Sequence, residues 1–290
     1  EMMQKGLSGF RRFLDVVETE PEIVNAPDAE SIDEVNGHVS YENVSFHYSD
    51  DDTPVLSNVT FDIPAGKSVA LVGPSGSGKT TICSLLPRFY DVTAGKITLD
   101  GVDIRNLSLA ELRDEIGFVP QKGILFSGTI ASNLKFGRPE ATEAEMTEAA
   151  EIAQATEFIN EKPEKYDSGI AQGGTNVSGG QKQRLSIARA IAKNPNVYIF
   201  DDSFSALDMK TDAALRKALE SKTKESSVII VAQRISTILH ADQILVLDEG
   251  KIVGKGTHEE LLRDCEVYQQ IAQSQLSAKE LGLEEGKEEK

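Results

Sequence analysis

A glycine-rich octapeptide between an apolar run and a helix-compatible segment is the feature that most constrains how this chain can fold. The octapeptide consists of Gly73, Pro74, Ser75, Gly76, Ser77, Gly78, Lys79 and Thr80. The apolar run before it, residues 68–72, is continuous, which is typical of a strand buried on both faces of a mainly parallel sheet. Residues 81–86 suit a helix. Strand, loop and helix in this order predict the first unit of an α/β fold.

This loop also has the chemistry of a phosphate-binding site. Glycines let the backbone curl so that successive N–H groups point inward, and the helix after the loop adds the positive end of its dipole. Lys79 would lie against the terminal phosphates of a nucleotide, and the Thr80 hydroxyl would hold Mg²⁺. A purely structural glycine turn is the alternative, but the flanking strand and helix are the context that phosphate binding requires.

Two adjacent carboxylates, Asp201 and Asp202, follow a second apolar run at residues 197–200. Asp201 is in the position to orient the shell of Mg²⁺ at the end of such a strand. The alternative is that both acids cap the helix that follows. A phosphate-binding loop in the same chain favours the magnesium interpretation.

The rest of the chain alternates strand and helix patterns around these two segments. Alternating apolar residues between positions 39 and 63 predict an antiparallel β-layer, and further buried strands are predicted at 197–200, 227–232 and 243–247. Residues 129–165 turn helical and acidic. Their apolar stripe consists of Ala144, Met146, Ala149, Ile152, Ala153 and Phe158. The predicted fold class is α/β: a P-loop NTPase core with a mainly parallel sheet, an antiparallel β-subdomain and an inserted α-helical subdomain.

The composition restricts the partners. A formal net charge of −17 opposes binding to nucleic acid, which depends on neutralising phosphates with Lys and Arg, so no nucleic-acid partner is expected. No apolar run approaches the roughly 18 to 20 residues that cross a bilayer, and the N-terminus lacks the layout of a signal peptide. The cysteines, Cys83 and Cys265, have no neighbouring Cys or His at ligand spacing, so neither a zinc site nor a disulfide framework is indicated.

Residues 177–184 resemble the signature motif of ABC transporters, which separates this chain from other proteins with a phosphate-binding loop. The resemblance extends to Gln121 as the Q-loop glutamine, to residues 205–208 as the D-loop, and to Tyr48 as the aromatic A-loop position. In order and spacing these motifs cover about residues 38–275. The resemblance implies that Tyr48 stacks on adenine, although a strand tyrosine taken alone is more often a core or rim residue.

The resemblance also implies that the cofactors are ATP and Mg²⁺, and that two nucleotide-binding domains sandwich two nucleotides head to tail. Each site would combine the phosphate loop of one chain with the signature motif of the other, where N–H groups lie at the start of a helix. The residues implied to contact nucleotide are the octapeptide together with Tyr48, Thr81, Ser178, Gly179, Gly180, Gln181 and Asp208. Those implied at the metal are Thr80, Gln121 and Asp201.

Within the family, the chain resembles an exporter in which membrane helices precede the nucleotide-binding domain on one polypeptide. Residues 1–36 are expected to form the end of a membrane-domain helix and a linker. Residues 37–275 would form the nucleotide-binding domain, with a helical subdomain at about 129–190, and residues 276–290 a disordered acidic tail. The domain itself would be soluble and would work at the cytoplasmic face of the cell membrane, joined to the transmembrane domains of the same polypeptide.

Two positions that matter for hydrolysis depart from the family pattern; Gln172, where exporters often carry Glu, and Val177, in the usual Leu position of the signature, are further differences. Active members usually carry Glu after the metal-orienting Asp, where this chain has Asp202, and a switch-loop histidine, where it has Gln233. The shorter carboxylate lies further from the attacking water, and glutamine carries no proton or positive charge. Together with Gln121 these residues are the implied catalytic group, and slow hydrolysis of ATP is expected.

The pattern of these departures resembles the degenerate-site subunit of heterodimeric exporters and favours a different second subunit. A homodimer with two slow sites and a regulatory ATP-binding module are the alternatives.

Overall fold

The computed structural model describes residues 2–32, 34–49 and 52–276 of the chain. The strands in this part are Val39–Phe46 (β1), Leu56–Ile63 (β2), Ser68–Val72 (β3), Ala94–Leu99 (β4), Val102–Asp103 (β5), Ile116–Val119 (β6), Gly128–Thr129 (β7), Gly169–Ile170 (β8), Val197–Asp201 (β9), Ser227–Val231 (β10), Gln243–Asp248 (β11) and Lys251–Gly256 (β12). The α-helices are Met2–Val17 (α1), Lys79–Leu85 (α2), Leu109–Asp114 (α3), Ile130–Leu134 (α4), Glu143–Ile152 (α5), Thr156–Asn160 (α6), Gly179–Lys193 (α7), Met209–Lys222 (α8), Ile235–Ile238 (α9), His258–Asp264 (α10) and Glu266–Gln273 (α11). Residues 277–290, most of the expected acidic tail, lie outside the described residues.

The centre of the fold is a six-stranded sheet in the order β12-β11-β3-β10-β9-β6. Neighbouring strands in it run parallel except for β11 and β12. Strand β9 is buried along its whole length and β3 is buried after its first residue, which explains their unbroken apolar sequences. The prediction of a mainly parallel sheet is confirmed.

A four-stranded antiparallel sheet, in the order β2-β1-β4-β5, shares one hydrophobic cluster with the central sheet. Tyr41 of β1 and Phe61 of β2 stack with their ring centroids 4.3 Å apart. The Tyr41 hydroxyl donates to the carbonyl oxygen of Ile82 in α2 over 2.9 Å. This bond fastens the antiparallel sheet to the helix after the glycine-rich loop, and the predicted antiparallel layer is confirmed.

Helices α4 to α7 form the inserted helical part and share a second hydrophobic cluster with β6 and β9. Met146, Ala149 and Ala153 of the predicted stripe are buried in this cluster. Ala144 is exposed, so its place in the stripe was predicted wrongly. It lies two residues before Met146, which at 3.6 residues per turn puts the two side chains on nearly opposite sides of α5. Ala150, beside Ala149, is buried instead.

Helix α1 includes the amphipathic segment at residues 9–17 and extends back to Met2. Its side chains Leu7, Phe10 and Phe13 are 55, 56 and 60% exposed. These three apolar side chains therefore face solvent in this structure. Within the described ranges, no helix combines the length and the apolar character needed to cross a membrane.

The segment between α1 and β1 has no helix or strand in its described residues, and its end is held to the antiparallel sheet. The carboxylate of Asp100 accepts hydrogen bonds from the backbone N–H groups of Asn36, Gly37 and His38, at 2.7, 3.2 and 2.9 Å. The absence of regular structure in the described residues of this segment is compatible with the linker expected here, and these bonds fix where it joins the nucleotide-binding part.

Candidate nucleotide-binding site

Strands β3, β10 and β9 bring three separate sequence segments to one edge of the central sheet. Val231 at the end of β10 pairs with Leu71 on one side and with Asp201 on the other. The glycine-rich loop begins two residues after Leu71, and Gln233 lies two residues after Val231. Ligands of open parallel sheets bind at the carboxyl ends of the strands. This edge is therefore where the predicted residues can meet.

Close packing against neighbouring segments explains two glycines of the loop. Gly73 has a φ of +154°, and a Cβ atom there would lie 2.1 Å from the carbonyl oxygen of Leu247 in β11. Gly78, the N-cap of α2, has a φ of +99°, and a Cβ atom there would lie 2.6 Å from a methyl carbon of Leu56. A larger residue at either position would displace the loop.

We expect Gly73→Ala to lower the free energy of unfolding by about 3 kcal/mol, because the added carbon overlaps β11. Gly76→Ala is the matched control, since its φ is also positive, at +80°, but a Cβ atom there meets no atom within 4 Å. That variant should lose only about 1 kcal/mol for its backbone conformation. Urea denaturation measures both values. Equal losses in the two variants would contradict the close approach to β11.

Lys79 folds back over the loop that precedes it. Its ammonium group donates to the carbonyl oxygens of Gly73 and Pro74, at 2.9 and 2.7 Å, and to the Ser77 hydroxyl at 3.1 Å. These three bonds keep the positive charge at the loop. An ammonium group held here can meet a phosphate as a point charge.

The start of α2 offers N–H groups beside this charge. Among the hydrogen bonds of the described chain, none uses the N–H groups of Gly78, Lys79 or Thr80 as a donor. Free N–H groups at a helix start carry the positive end of its dipole and bind anions. Together with the Lys79 side chain, they fit the phosphates of a nucleotide.

Asp201 and Thr80 lie side by side at this edge. The Thr80 hydroxyl donates to the Asp201 carboxylate over 3.0 Å. Burial raises the pKa of Asp201; the bond from Thr80 opposes this shift, and the charge of Asp202 adds to it. Burial lowers the pKa of Lys79, and the two carboxylates oppose that shift.

Hydroxyl and carboxylate oxygens are ligands that Mg²⁺ prefers, so the Thr80–Asp201 pair fits the predicted metal. Mg²⁺ is usually held by few protein groups, together with waters and the phosphates of the substrate. In the described residues, no cluster of three or more His, Cys, Asp or Glu side chains could hold a metal by itself. Because Mg²⁺ usually takes further oxygens from the phosphates of its substrate, the Thr80–Asp201 pair would bind it together with a nucleotide.

Asp202 joins the two loops that carry Gln121 and Gln233. The amide nitrogens of both glutamines donate to the same carboxylate oxygen, Oδ2, at 2.8 and 2.6 Å. Asp202 is 6% exposed, and its φ of +48° lies in the left-handed region. Burial raises the pKa of Asp202, and the bonds from the two amides oppose the increase because they favour the ionised form. The three residues of the predicted catalytic group are thus in direct contact.

A cavity of about 670 Å³ lies at this edge of the sheet. The predicted residues on its wall are Gly73, Ser75, Gly76, Gly78, Lys79, Thr80, Thr81, Gln121, Asp202 and Gln233. Pro74, Ser77 and Asp201 are bonded to these wall residues through Lys79 and Thr80. The volume is within the range of small-molecule sites.

Tyr48 lies beside the loop rather than on the cavity wall. Its hydroxyl is 3.3 Å from that of Thr81, which does line the cavity. Its ring packs edge-on against Phe46 and Tyr90, with centroids 4.9 and 5.2 Å away. Tyr48 is still 38% exposed, so part of the ring is available to a ligand. Stacking on adenine stays a prediction.

The signature residues lie elsewhere in the chain. The Ser178 hydroxyl accepts from the N–H of Gln181, and the Gln181 side chain accepts from the N–H of Ser178, a reciprocal cap at the start of α7. Gly179 and Gly180 form the first turn of that helix. Asp208 is the N-cap of α8. None of these residues is on the cavity wall, so one described chain does not bring the two predicted halves of the site together.

Gln275, which follows α11 and holds the loop of Gln233, is not among the residues predicted from the sequence. Its amide nitrogen donates to the carbonyl oxygen of Gln233 at 2.7 Å, and its amide oxygen accepts from the N–H of Ile235 at 2.8 Å. Gln275 also lines the cavity. No motif marks a glutamine near the end of the chain, so only the packing of α11 reveals this contact.

We expect Gln275→Leu to loosen the Gln233 loop, because two backbone groups lose their partner. The amide of Ile235 should exchange with solvent roughly fivefold faster, which corresponds to about 1 kcal/mol of local stability. Gln270→Leu is the matched control, since Gln270 lies exposed on α11 and its side-chain amide donates to Glu266 of its own helix. Hydrogen exchange followed by NMR or mass spectrometry measures the effect. Unchanged exchange in Gln275→Leu would show that the clamp does not stabilise the loop.

Known proteins resemble this chain in sequence and in structure. Residues 56–205 match the sequence family described as ABC transporter. An uncharacterized ABC transporter ATP-binding protein of Bacillus subtilis is 42% identical over 275 residues, 95% of this chain and 48% of that protein. The ATP-dependent lipid A-core flippase of Syntrophus aciditrophicus is 43% identical over 285 residues, 98% of this chain and 47% of that protein.

Among solved structures, a bacterial Atm1-family ABC exporter with ATP bound is similar to this chain, with a TM-score of 0.87 and 38% identity. The similarity covers 93% of this chain and 48% of that one, so the chain spans about half the length of these relatives. The matched range includes the glycine-rich loop, Asp201 at the end of β9 and Asp202 directly after it. The chain therefore belongs to the ABC transporter family and carries the ATP-binding domain of that family.

Proposed function

We propose that this chain binds and hydrolyses ATP, with Mg²⁺, in order to power export of a substrate across a membrane. The observation that carries the proposal is the meeting of the glycine-rich loop, Thr80 and Asp201 at one sheet edge, with Thr80 bonded to Asp201 over 3.0 Å. A phosphate cradle next to a hydroxyl and a carboxylate is the arrangement that nucleotide hydrolysis needs.

The chemistry of the site residues gives them roles in nucleotide binding and hydrolysis. Lys79 and the N–H groups at the start of α2 would hold the phosphates. Thr80 and Asp201 would hold Mg²⁺, which neutralises charge on the phosphate oxygens when it is bound. Gln121 would contribute at the metal. Asp202 would orient the attacking water and accept a hydrogen bond from it.

The same contacts support slow hydrolysis at this chain's own site. The side chain of Asp202 is one methylene shorter than that of Glu, and two amide donors hold its Oδ2, so the carboxylate cannot extend toward the attacking water. Gln233 can donate a hydrogen bond but cannot carry a proton. Accurate placement of the water and its base dominates such reactions, so both features lower the rate.

A second nucleotide-binding domain would complete the site. The signature residues at the start of α7 lie off this chain's cavity, where they are free to face a nucleotide held by another chain. We favour a different subunit as the partner, one with Glu and His at the two departing positions, because this chain's signature motif is nearly intact. A homodimer with two slow sites is the alternative.

Fusion to transmembrane domains is supported by the relatives, which are about twice as long as this chain. Helix α1, with its exposed apolar face, would be the end of the last membrane-domain helix, and residues up to 36 would be the linker. The domain would then work at the cytoplasmic face of the membrane. The net charge of −17 supports no role with nucleic acid.

Titration calorimetry of the chain with ATP in the presence of Mg²⁺ tests the proposal. We expect saturable binding of one nucleotide per chain. Sedimentation at increasing chain concentration, with and without Mg-ATP, then tests for nucleotide-dependent association of two copies. A chain that binds no Mg-ATP up to millimolar concentration would contradict the proposed function. Tight self-association with brisk turnover would contradict the preference for a different second subunit.

A further inference from the structure

We propose that Gln183 is a positioning residue, which holds Gln121 against the signature helix α7 and thereby sets how Gln121 contributes at the metal. The inference rests on the proposed function, because it concerns the metal site of that function. Gln183 is a buried residue of the signature segment, residues 177–184. It neither lines the cavity nor caps α7, so those two features do not explain why a polar side chain is buried there.

Both polar groups of Gln183 bind the backbone around Gln121. The amide nitrogen of Gln183 donates to the carbonyl oxygen of Pro120 at 3.1 Å, and its amide oxygen accepts from the N–H of Gly123 at 2.8 Å. Gln183 itself is 1% exposed. A buried amide is costly unless both of its groups are bonded, and here both bonds go to the same loop. One side chain therefore clamps the loop on either side of Gln121.

The close approach of Gly123 to α7 shows that the loop packs directly on this helix. A Cβ atom at Gly123 would lie 2.8 Å from the backbone carbonyl of Lys182 and 2.9 Å from the Ser186 hydroxyl oxygen. Gln183 belongs to this same turn of α7. A side-chain clamp and a backbone contact thus fix the loop to the helix at one place.

The clamp connects two parts of the proposed mechanism. Helix α7 begins with the reciprocal cap of Ser178 and Gln181, and Gln183 follows within the same continuous helix. Gln121 in turn donates to Asp202 over 2.8 Å. Since a helix moves as a rigid element, a displacement of its first turn would be carried to the loop of Gln121.

The test compares ATP affinity of the chain with Mg²⁺ and with EDTA, by calorimetry. Gln183→Met keeps the volume and removes both bonds. It should reduce the gain in affinity that Mg²⁺ provides by about 3- to 10-fold and leave the metal-free affinity within about twofold. Gln121→Ala should give a similar loss, and the double variant no further loss, because both changes act on one interaction.

Ser186→Ala is the matched control. Ser186 is buried in the same helix, one turn further along. Its hydroxyl lies against the loop at Gly123 but has no hydrogen-bond partner in the described chain, so removing it takes no bond from the loop. Its variant should keep the full effect of Mg²⁺. If Gln183→Met folds poorly, Gly123→Ala is the second variant. Gly123 is half-buried, and its added methyl group would push the loop away from α7, so this variant should reproduce the loss of the Mg²⁺ effect.

A second readout does not depend on nucleotide. Amide exchange at Gly123 should speed up several-fold in Gln183→Met and stay unchanged in Ser186→Ala.

An unreduced Mg²⁺ effect in Gln183→Met and Gly123→Ala would overturn the inference, as would additive losses in the double variant. A Gln121→Ala variant with the full Mg²⁺ effect would overturn it as well. An unaltered chain that binds no Mg-ATP is a different result, since it removes the proposed function on which the inference rests.

Discussion

Placing Asp202→Glu and Gln233→His in one chain should raise its ATPase rate by up to about 100-fold. The added methylene of Glu moves the carboxylate about 1 Å closer to the attacking water, and a change of that size in positioning alters rates on the order of a hundredfold. Gln233→His adds a ring that can carry a proton. Phosphate release at saturating Mg-ATP, at chain concentrations that allow association, measures the rate.

The single variants should each gain less than the double variant, because Gln233 donates to Asp202 over 2.6 Å and the two positions are coupled. Asp242→Glu is the matched control, since Asp242 is exposed and pairs with Lys67 rather than with the cavity. Its rate should not change. Brisk turnover by the unaltered chain would contradict an impaired site, and an unresponsive double variant would favour the regulatory module.

Lys79→Ala should weaken ATP binding by at least about tenfold and up to about 100-fold. The ammonium group is held at the loop by three bonds, so a charge-assisted bond to phosphate is lost without a substitute. Such bonds contribute about 1.5 to 3 kcal/mol, which converts to that range of affinity. Calorimetry with Mg-ATP measures the change.

Lys67→Ala is the control for this loss of charge. Lys67 lies just before the other end of β3, where it is bonded to Asp242 over 3.0 Å. Removing it changes the net charge by the same amount and should leave ATP affinity within about twofold. Equal losses in the two variants would mean that Lys79 acts only through the overall charge and does not contact the nucleotide.

The strands, the helix starts and the glycine-rich loop could be predicted because each depends on neighbours in sequence. The period of apolar residues decides which side of a strand or helix is buried, and a serine three residues before a glutamine caps α7 by itself. The prediction for Ala144 was wrong because it did not follow this period. Ala144 is apolar and belongs to the same helix, but it lies on nearly the opposite side of α5 from Met146.

The sequence by itself determined the α/β class, the phosphate loop and the identity of the two departing residues, since these follow from local pattern and motif. Only the tertiary structure decided that Gln121 and Gln233, which are 81 and 31 residues away from Asp202, share one of its carboxylate oxygens. It alone revealed the clamps by Gln183 and Gln275, across 60 and 42 residues. The physical reason is that such bonds depend on how sheets and helices pack, and the residues beside each glutamine in sequence do not specify that packing.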